Sequence, residues 1–282
     1  MDFKLNKIYV YIRGGLGNQL FQYAKAINFK QKYGGNIIAL RDFHNPLNTR
    51  RPFILKELNI DIKYSYFENL KIKFLSNFLR NMQVINEEKN FSYSEIKIKK
   101  KNILLNGYWQ TYKSVMSSLY HIKNSIFLNI SLTPSYQKYL NDIKNTNSLS
   151  IHIRRGDYVT NVFANKFHGL LPKDFFFKGI SLIKKKYPNI KIFIFSDDIE
   201  WCRNNFSEFD ATYISSENIN KSDLIELYLM SHCKNFIISN SSFSWWGAML
   251  SDYDSKIVVA PKNWLSIQID ISDLLPNNWI KL

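Results

Sequence analysis

The sequence predicts an α/β protein made of two Rossmann-like halves around a cleft. Three observations point there. Short β-rich runs alternate with helix-length segments, a glycine-rich turn joins the first strand to the first helix, and the second half keeps the same rhythm. Strand, turn, helix and strand make a βαβ unit, whose two strands run parallel.

Ile8–Ile12 reads as the first strand and runs into Arg13-Gly14-Gly15. Gln19–Tyr33 follows as a helix, with Leu20, Ala24 and Ile27 on one face and Gly34-Gly35 as its stop. Asn36–Leu40 is the next strand. Residues 60–105 are lysine-rich and less patterned. Within them Leu70–Met82 has the spacing of a basic amphipathic helix, either ordinary surface or a membrane-interface element. The polar stretch Asn145–Ser148 is the expected boundary between domains 1–147 and 148–282. Beyond it come a strand at Leu149–Ile153, a helix at Phe175–Tyr187 and a strand at Lys191–Phe195. Ser222 caps a helix reaching about Cys233, with Leu224, Leu227 and Tyr228 facing inward. Phe236–Ser239 is a strand, Ser242–Leu250 a helix, and Lys256–Ala260 a last strand stopped by Pro261.

The 282 residues include 6 Trp, 17 Tyr and 21 Phe, with 45% hydrophobic residues, which excludes a disordered chain and supplies a core. No run of about 18 uncharged apolar residues occurs, so no membrane-spanning helix is expected. The first residues lack the apolar stretch of a signal peptide. Two cysteines, Cys202 and Cys233, form no disulfide framework and suit a reducing cytosol. The net charge of +15 is uneven: residues 1–150 carry 23 Lys/Arg against 9 Asp/Glu, and residues 151–282 carry 15 against 14. The first half therefore faces nucleic acid, a membrane surface or an acidic substrate, or is simply a solvated lysine surface.

Four segments carry chemistry. In Gly14-Gly15-Leu16-Gly17-Asn18-Gln19, glycines between strand and helix let backbone N–H groups approach an anion, or merely turn the chain. Gly15 and Gly17 fit the first two positions of the dinucleotide fingerprint, but Leu20 holds the third, so an NAD(P)-dependent oxidoreductase is an alternative reading. In Ser150–Tyr158, strand alternation puts His152 and Arg154 on one face at a strand end, where open α/β sheets bind ligands. Arg154 has the fork for a phosphate, His152 can donate to a phosphate or ribose oxygen, and Asp157 can pair with an arginine, orient a hydroxyl or act as base. Asp197-Asp198 ends another strand, and only one of the two carboxylates faces the cleft; the other suits a helix N-cap. In Ser239–Gly247 the hydroxyls of Ser241 and Ser242 offer donors to a phosphate, while Trp245 and Trp246 are core or a sugar-stacking platform. Asp252 and Asp254 have the spacing of a nucleotide-sugar metal motif but sit in a turn after a helix, and no metal site is expected. A nucleic-acid binder, suggested by the charge, lacks the basic-aromatic motifs of RNA modules.

Six stretches, RGGLGNQLFQYA (13–24), NGYWQ (106–110), SIHIRRGDYV (150–159), FIFSDDIEWC (193–202), LYLMSHCKNFIISNSSFSWWGAML (227–250) and APKNW (260–264), together resemble the α-1,2-fucosyltransferases of glycosyltransferase family 11. Residues 42–105 match poorly and are where acceptor selectivity is expected. The resemblance implies a GT-B-like fold, with an acceptor-side domain 1–147 and a GDP-fucose-binding domain 148–282. It implies inverting transfer of L-fucose from GDP-β-L-fucose to the 2-hydroxyl of a galactose in a lipopolysaccharide-type glycan. Arg154 would clamp the β-phosphate with help from His152. Ser241 and Ser242 would bind the diphosphate, Asp197 a polar part of the nucleotide, and Gly17, Asn18 and Gln19 would approach from the N-terminal domain. No cofactor or divalent metal is implied. The catalytic base is left open between Asp157 and His168. A lipid-linked acceptor would place the enzyme in the cytoplasm, at the inner face of the bacterial membrane, through its basic first half.

Overall fold

The computed structural model describes residues 3–41, 52–58, 60–64, 80–88, 91–214 and 222–282. The chain divides into two compact units, Met1–Asn129 with Asp270–Pro276, and Ile130–Ile269 with Asn277–Leu282.

The first unit contains β1 (Lys7–Tyr11), α1 (Leu16–Tyr33), β2 (Asn36–Leu40), β3 (Lys63–Tyr64), β4 (Met82–Asn86) and β5 (Asn102–Asn106), followed by α2 (Tyr112–Met116) and α3 (Leu119–Ile126). Its strands pair in the order β3-β2-β1-β5-β4, all parallel. Such a sheet must be covered on both faces, and β1, β2 and β5 are accordingly near-continuous apolar runs. Tyr9, Ile38, Leu40, Met82 and Leu104 close one layer of the core. The helix expected from Gln19 starts earlier, at Leu16, with Gly15 in extended backbone as its N-cap. Gly17 and Asn18 are thus in the first helical turn rather than in a loop. Most of the expected Leu70–Met82 helix lies outside the described residues, and Met82 itself opens a strand.

The second unit contains α4 (Pro134–Asn145), β6 (Asn147–Ile153), α5 (Gly156–Thr160), α6 (Val162–His168), α7 (Lys173–Lys186), β7 (Ile190–Ser196), α8 (Ile199–Asn205), β8 (Ala211–Ile214), α9 (Ser222–Ser231), β9 (Asn235–Ile237), α10 (Ser242–Leu250), β10 (Val258–Ala260) and β11 (Ile280–Lys281). The strand order is β11-β10-β9-β6-β7-β8, again all parallel. Counted within the unit this is the doubly wound dinucleotide-fold order, which reverses between β6 and β9. Leu149, Ile151 and Ile153 of β6 and Ile192 and Ile194 of β7 pack with Phe176, Ile180 and Ile183 of α7 and Phe206. Each fully buried side chain of this size contributes roughly 1.5–3 kcal/mol. Trp245 and Trp246 of α10 are fully buried, so they are core and not a sugar platform. Cys202 and Cys233 are buried free thiols. No helix among the described residues is long and apolar enough to cross a membrane.

Candidate functional site

The switch point of the second sheet collects most of the residues singled out from the sequence. β6 ends at Ile153, and the chain turns through Arg154 and Arg155 into α5. β9 ends at Ile237, and Ser239 to Ser241 lead into α10. The two strand ends are tied directly: His152 Nδ1 and Ser239 Oγ are 2.7 Å apart in a buried hydrogen bond. The His152 ring also lies 5.6 Å from that of Phe243 in α10. Burial drives the His152 pKa well below the ordinary imidazole range, Arg154 pushes the same way, and Asp197 opposes without prevailing. His152 is therefore a neutral hydrogen-bonding group near neutral pH. Its partner is Ser239, which the sequence reading places in the fourth segment without giving it a role; its place directly before the serine turn was the available signal.

Arg154 reaches the end of β7, where its Nη1 lies 2.7 Å from Asp197 Oδ2. Asp197 Oδ1 accepts the Arg155 backbone N–H at 2.8 Å. Burial alone would raise the Asp197 pKa, but Arg154 and the N–H groups of Arg155 and Gly156 outweigh it and hold the carboxyl below its usual range. A Cβ on Gly156 would sit 2.6 Å from Asp197 Oδ2, so glycine is what lets this turn close over the carboxylate. The adjacent Asp198 points elsewhere. Its Oδ1 accepts the Trp201 N–H as the cap of α8, and its Oδ2 takes the Arg155 Nε at 3.0 Å. The Arg155 guanidinium lies 3.9 Å from the Trp201 ring centroid, which keeps it away from the switch point. Of the two carboxylates only Asp197 joins Arg154, where the sequence reading has one of them facing the cleft and Asp197 toward the nucleotide.

Ser241 Oγ caps α10 by accepting the Phe243 N–H, and Ser242 is the first residue of that helix. The N-terminus of this nine-residue helix thus follows the strand next to the one that leads to Arg154, an arrangement suited to an anion. Asn240 braces the turn, its Nδ2 donating to the carbonyls of His168 and Trp264. Tyr158 O–H donates to the Asn240 carbonyl, and the Tyr158 ring stacks on His168 at 4.7 Å and 4°. His168 is thus half-buried beside the serine turn, stacked on Tyr158. Asp157 lies in α5, and its side chain is outside the described residues.

The candidates of the first unit sit at its own strand end. Asn18 Oδ1 accepts from Gln110 Nε2 at 2.7 Å. Gln19 is buried, and both ends of its amide serve the backbone. Its Nε2 donates to the carbonyls of Gly14 and Pro52, and its Oε1 accepts the Ile54 N–H. Its place is that of a tether for residues 52–55, not of a ligand-facing amide. Gly17 is buried in the first turn of α1. Among the described residues no three His, Cys, Asp or Glu side chains converge as a metal would require, Asp252 and Asp254 included.

The O-antigen biosynthesis glycosyltransferase WbnK of Escherichia coli is 33% identical, over 98% of this chain and 100% of its own. An α-1,2-colitosyltransferase of Escherichia coli is likewise 33% identical, over 96% of this chain and 97% of its own. Among solved structures, a mutant FUT1 of Arabidopsis thaliana in complex with GDP superposes with a TM-score of 0.52 at 13% identity, covering 94% of this chain and 72% of that one, which bears on the fold alone. The fold is α/β and GT-B-like. The family model for glycosyl transferase family 11 matches residues 2–282, and the chain belongs to that family.

Proposed function

We propose that this family 11 glycosyltransferase moves L-fucose from GDP-β-L-fucose to the 2-hydroxyl of a galactose, with inversion, in a surface glycan of the O-antigen type. The observation that carries the reading is the His152–Ser239 bond across the switch point, which brings Arg154 and the turn at Ser241-Ser242 to neighbouring strand ends. The motif set that resembles α-1,2-fucosyltransferases supports the sugar and linkage, and the O-antigen relative supports the acceptor class.

The chemistry follows from what a departing nucleoside diphosphate needs. Inversion through an oxocarbenium-like state depends more on stabilising the leaving group than on a strong nucleophile. Arg154 supplies a fixed cation, the α10 N-terminus supplies oriented N–H donors, and the Ser241 and Ser242 hydroxyls complete the cradle. Asp197 aims the guanidinium, and the neutral His152 can donate a hydrogen bond to a phosphate or ribose oxygen without competing for charge. With these groups carrying the charge, transfer requires no divalent metal. The acceptor proton goes to Asp157 or His168.

The colitosyltransferase relative favours a second reading for the donor, in which the sugar transferred is colitose. One assay treats both, with GDP-fucose and GDP-colitose offered to a panel of galactose-terminated oligosaccharides in the presence of EDTA. We expect transfer from GDP-fucose, and a 10²–10³-fold loss of kcat in Arg154→Ala with the fold intact. Near-normal turnover by that variant removes the assigned role, and transfer from GDP-colitose alone replaces the donor.

A further inference from the structure

The stretch NGYWQ (106–110) is not among the groups assigned to the diphosphate cradle, yet two of its consecutive backbone N–H groups are held by one carboxylate. It leaves β5 beside β1, where the first sheet also reverses its strand order, the place at which open parallel sheets bind ligands. Trp109 has φ 57°, a left-handed backbone that a bulky side chain adopts only when its surroundings impose it. The constraint comes from Glu87, just past β4. Its Oε2 accepts the Tyr108 N–H at 2.7 Å and its Oε1 the Trp109 N–H at 2.9 Å. Gly107 makes room, since a Cβ there would lie 2.4 Å from the Glu87 Cβ. The Trp109 ring turns inward, 6% exposed, with Lys25 Nζ 5.0 Å from it. Burial raises the Glu87 pKa, while the two N–H groups and the charges of Arg13 and Lys25 act to keep it ionised.

The clamp presents Tyr108, which stays 39% exposed although its backbone is fixed. A guanidinium lies beside it, and a chain of amide hydrogen bonds runs on from there. The Arg13 guanidinium lies 5.5 Å from the Tyr108 ring and bonds to Asn106 Oδ1, Asn106 donates to Asn86, and Gln110 donates to Asn18. An exposed ring beside a guanidinium, on a turn and strand ends that carry amide side chains, is the chemistry that recognises a sugar: its C–H face stacks, and its hydroxyls find donors and acceptors.

We propose that this turn is a subsite for the acceptor pyranose, which stacks on Tyr108 and hydrogen-bonds to Arg13, Asn86 and Gln110, with Glu87 as the positioning residue that holds the turn in shape. The subsite rests on the transferase reading above. Its test uses the full chain, GDP-fucose and a β-galactosyl disaccharide. Tyr108→Ala raises the acceptor KM about tenfold and leaves the GDP Kd, measured by calorimetry, within twofold. Tyr108→Phe keeps the wild-type KM, because stacking needs the ring and not the hydroxyl. Glu87→Gln places an N–H donor against one of the clamped N–H groups and raises the acceptor KM, again without moving the GDP Kd. An unchanged acceptor KM in Tyr108→Ala, or a GDP Kd that weakens in step with KM, overturns the subsite while the donor reading stands. A wild-type chain that binds no GDP overturns both.

Discussion

Burial and the Arg154 guanidinium both disfavour a proton on His152, and Asp197 only partly offsets them, so the imidazole meets Ser239 as a neutral ring. A histidine held below its unfolded pKa links stability to pH with a definite sign. Below about pH 6.5 the unfolded chain takes up a proton that the folded chain refuses, and stability falls as the solution becomes more acid. His232, also lowered by burial, adds to the same slope. Urea midpoints at pH 7.5 and 5.0 check this: we expect His152→Gln to show a smaller acid loss than the wild type, and an equal loss would mean that His152 is not the group titrating. The residue types here were legible in the sequence, because histidine and arginine two apart on a strand share a face. The protonation state was not, because it depends on burial and on Asp197, 45 positions away.

Among the elements, most strands and helices form where hydrophobic period and turn residues place them. Asn36–Leu40 and Ser242–Leu250 match to the residue. The departures have local causes. α1 begins at Leu16 because Gly15, extended and without a side-chain cap, passes straight into helix, so the glycine motif belongs to a helical turn. Tyr228 is half-buried where an inward position was expected, packing against His232 at 4.3 Å between ring centroids. The adjacent carboxylates 197 and 198 show how an element divides two like residues: Asp198 caps α8, and Asp197 aims Arg154. Asp198→Ala should therefore lower stability by about 1 kcal/mol in urea unfolding and leave GDP affinity within twofold. A large loss of GDP affinity in that variant would reverse the two assignments.

Across the whole molecule, the charge asymmetry is the feature that the proposed diphosphate cradle leaves unexplained. Residues 1–150 hold 23 Lys/Arg against 9 Asp/Glu, and about 1 kcal/mol per basic residue near an anionic leaflet would make membrane contact strong if several engage. An acceptor carried on a lipid would give that contact a purpose. Sedimentation with vesicles is expected to retain the chain when phosphatidylglycerol is present and release it in high salt. Binding that ignores anionic lipid counts against the membrane role.

The order of apolar runs, glycines and hydroxyl turns by itself determined the parallel α/β character, the positions of most strands and the side-chain types that the Arg154 and Ser241-Ser242 segments carry to strand ends, because those properties are local or periodic. Only the tertiary structure decided the rest. It paired His152 with Ser239 and Arg154 with Asp197, sent Trp245 and Trp246 into the core, withdrew Gln19 into backbone support, and bent Trp109 over Glu87. Each of those outcomes depends on groups that are distant in sequence and meet only once strand order is set, and no spacing along the chain encodes that meeting.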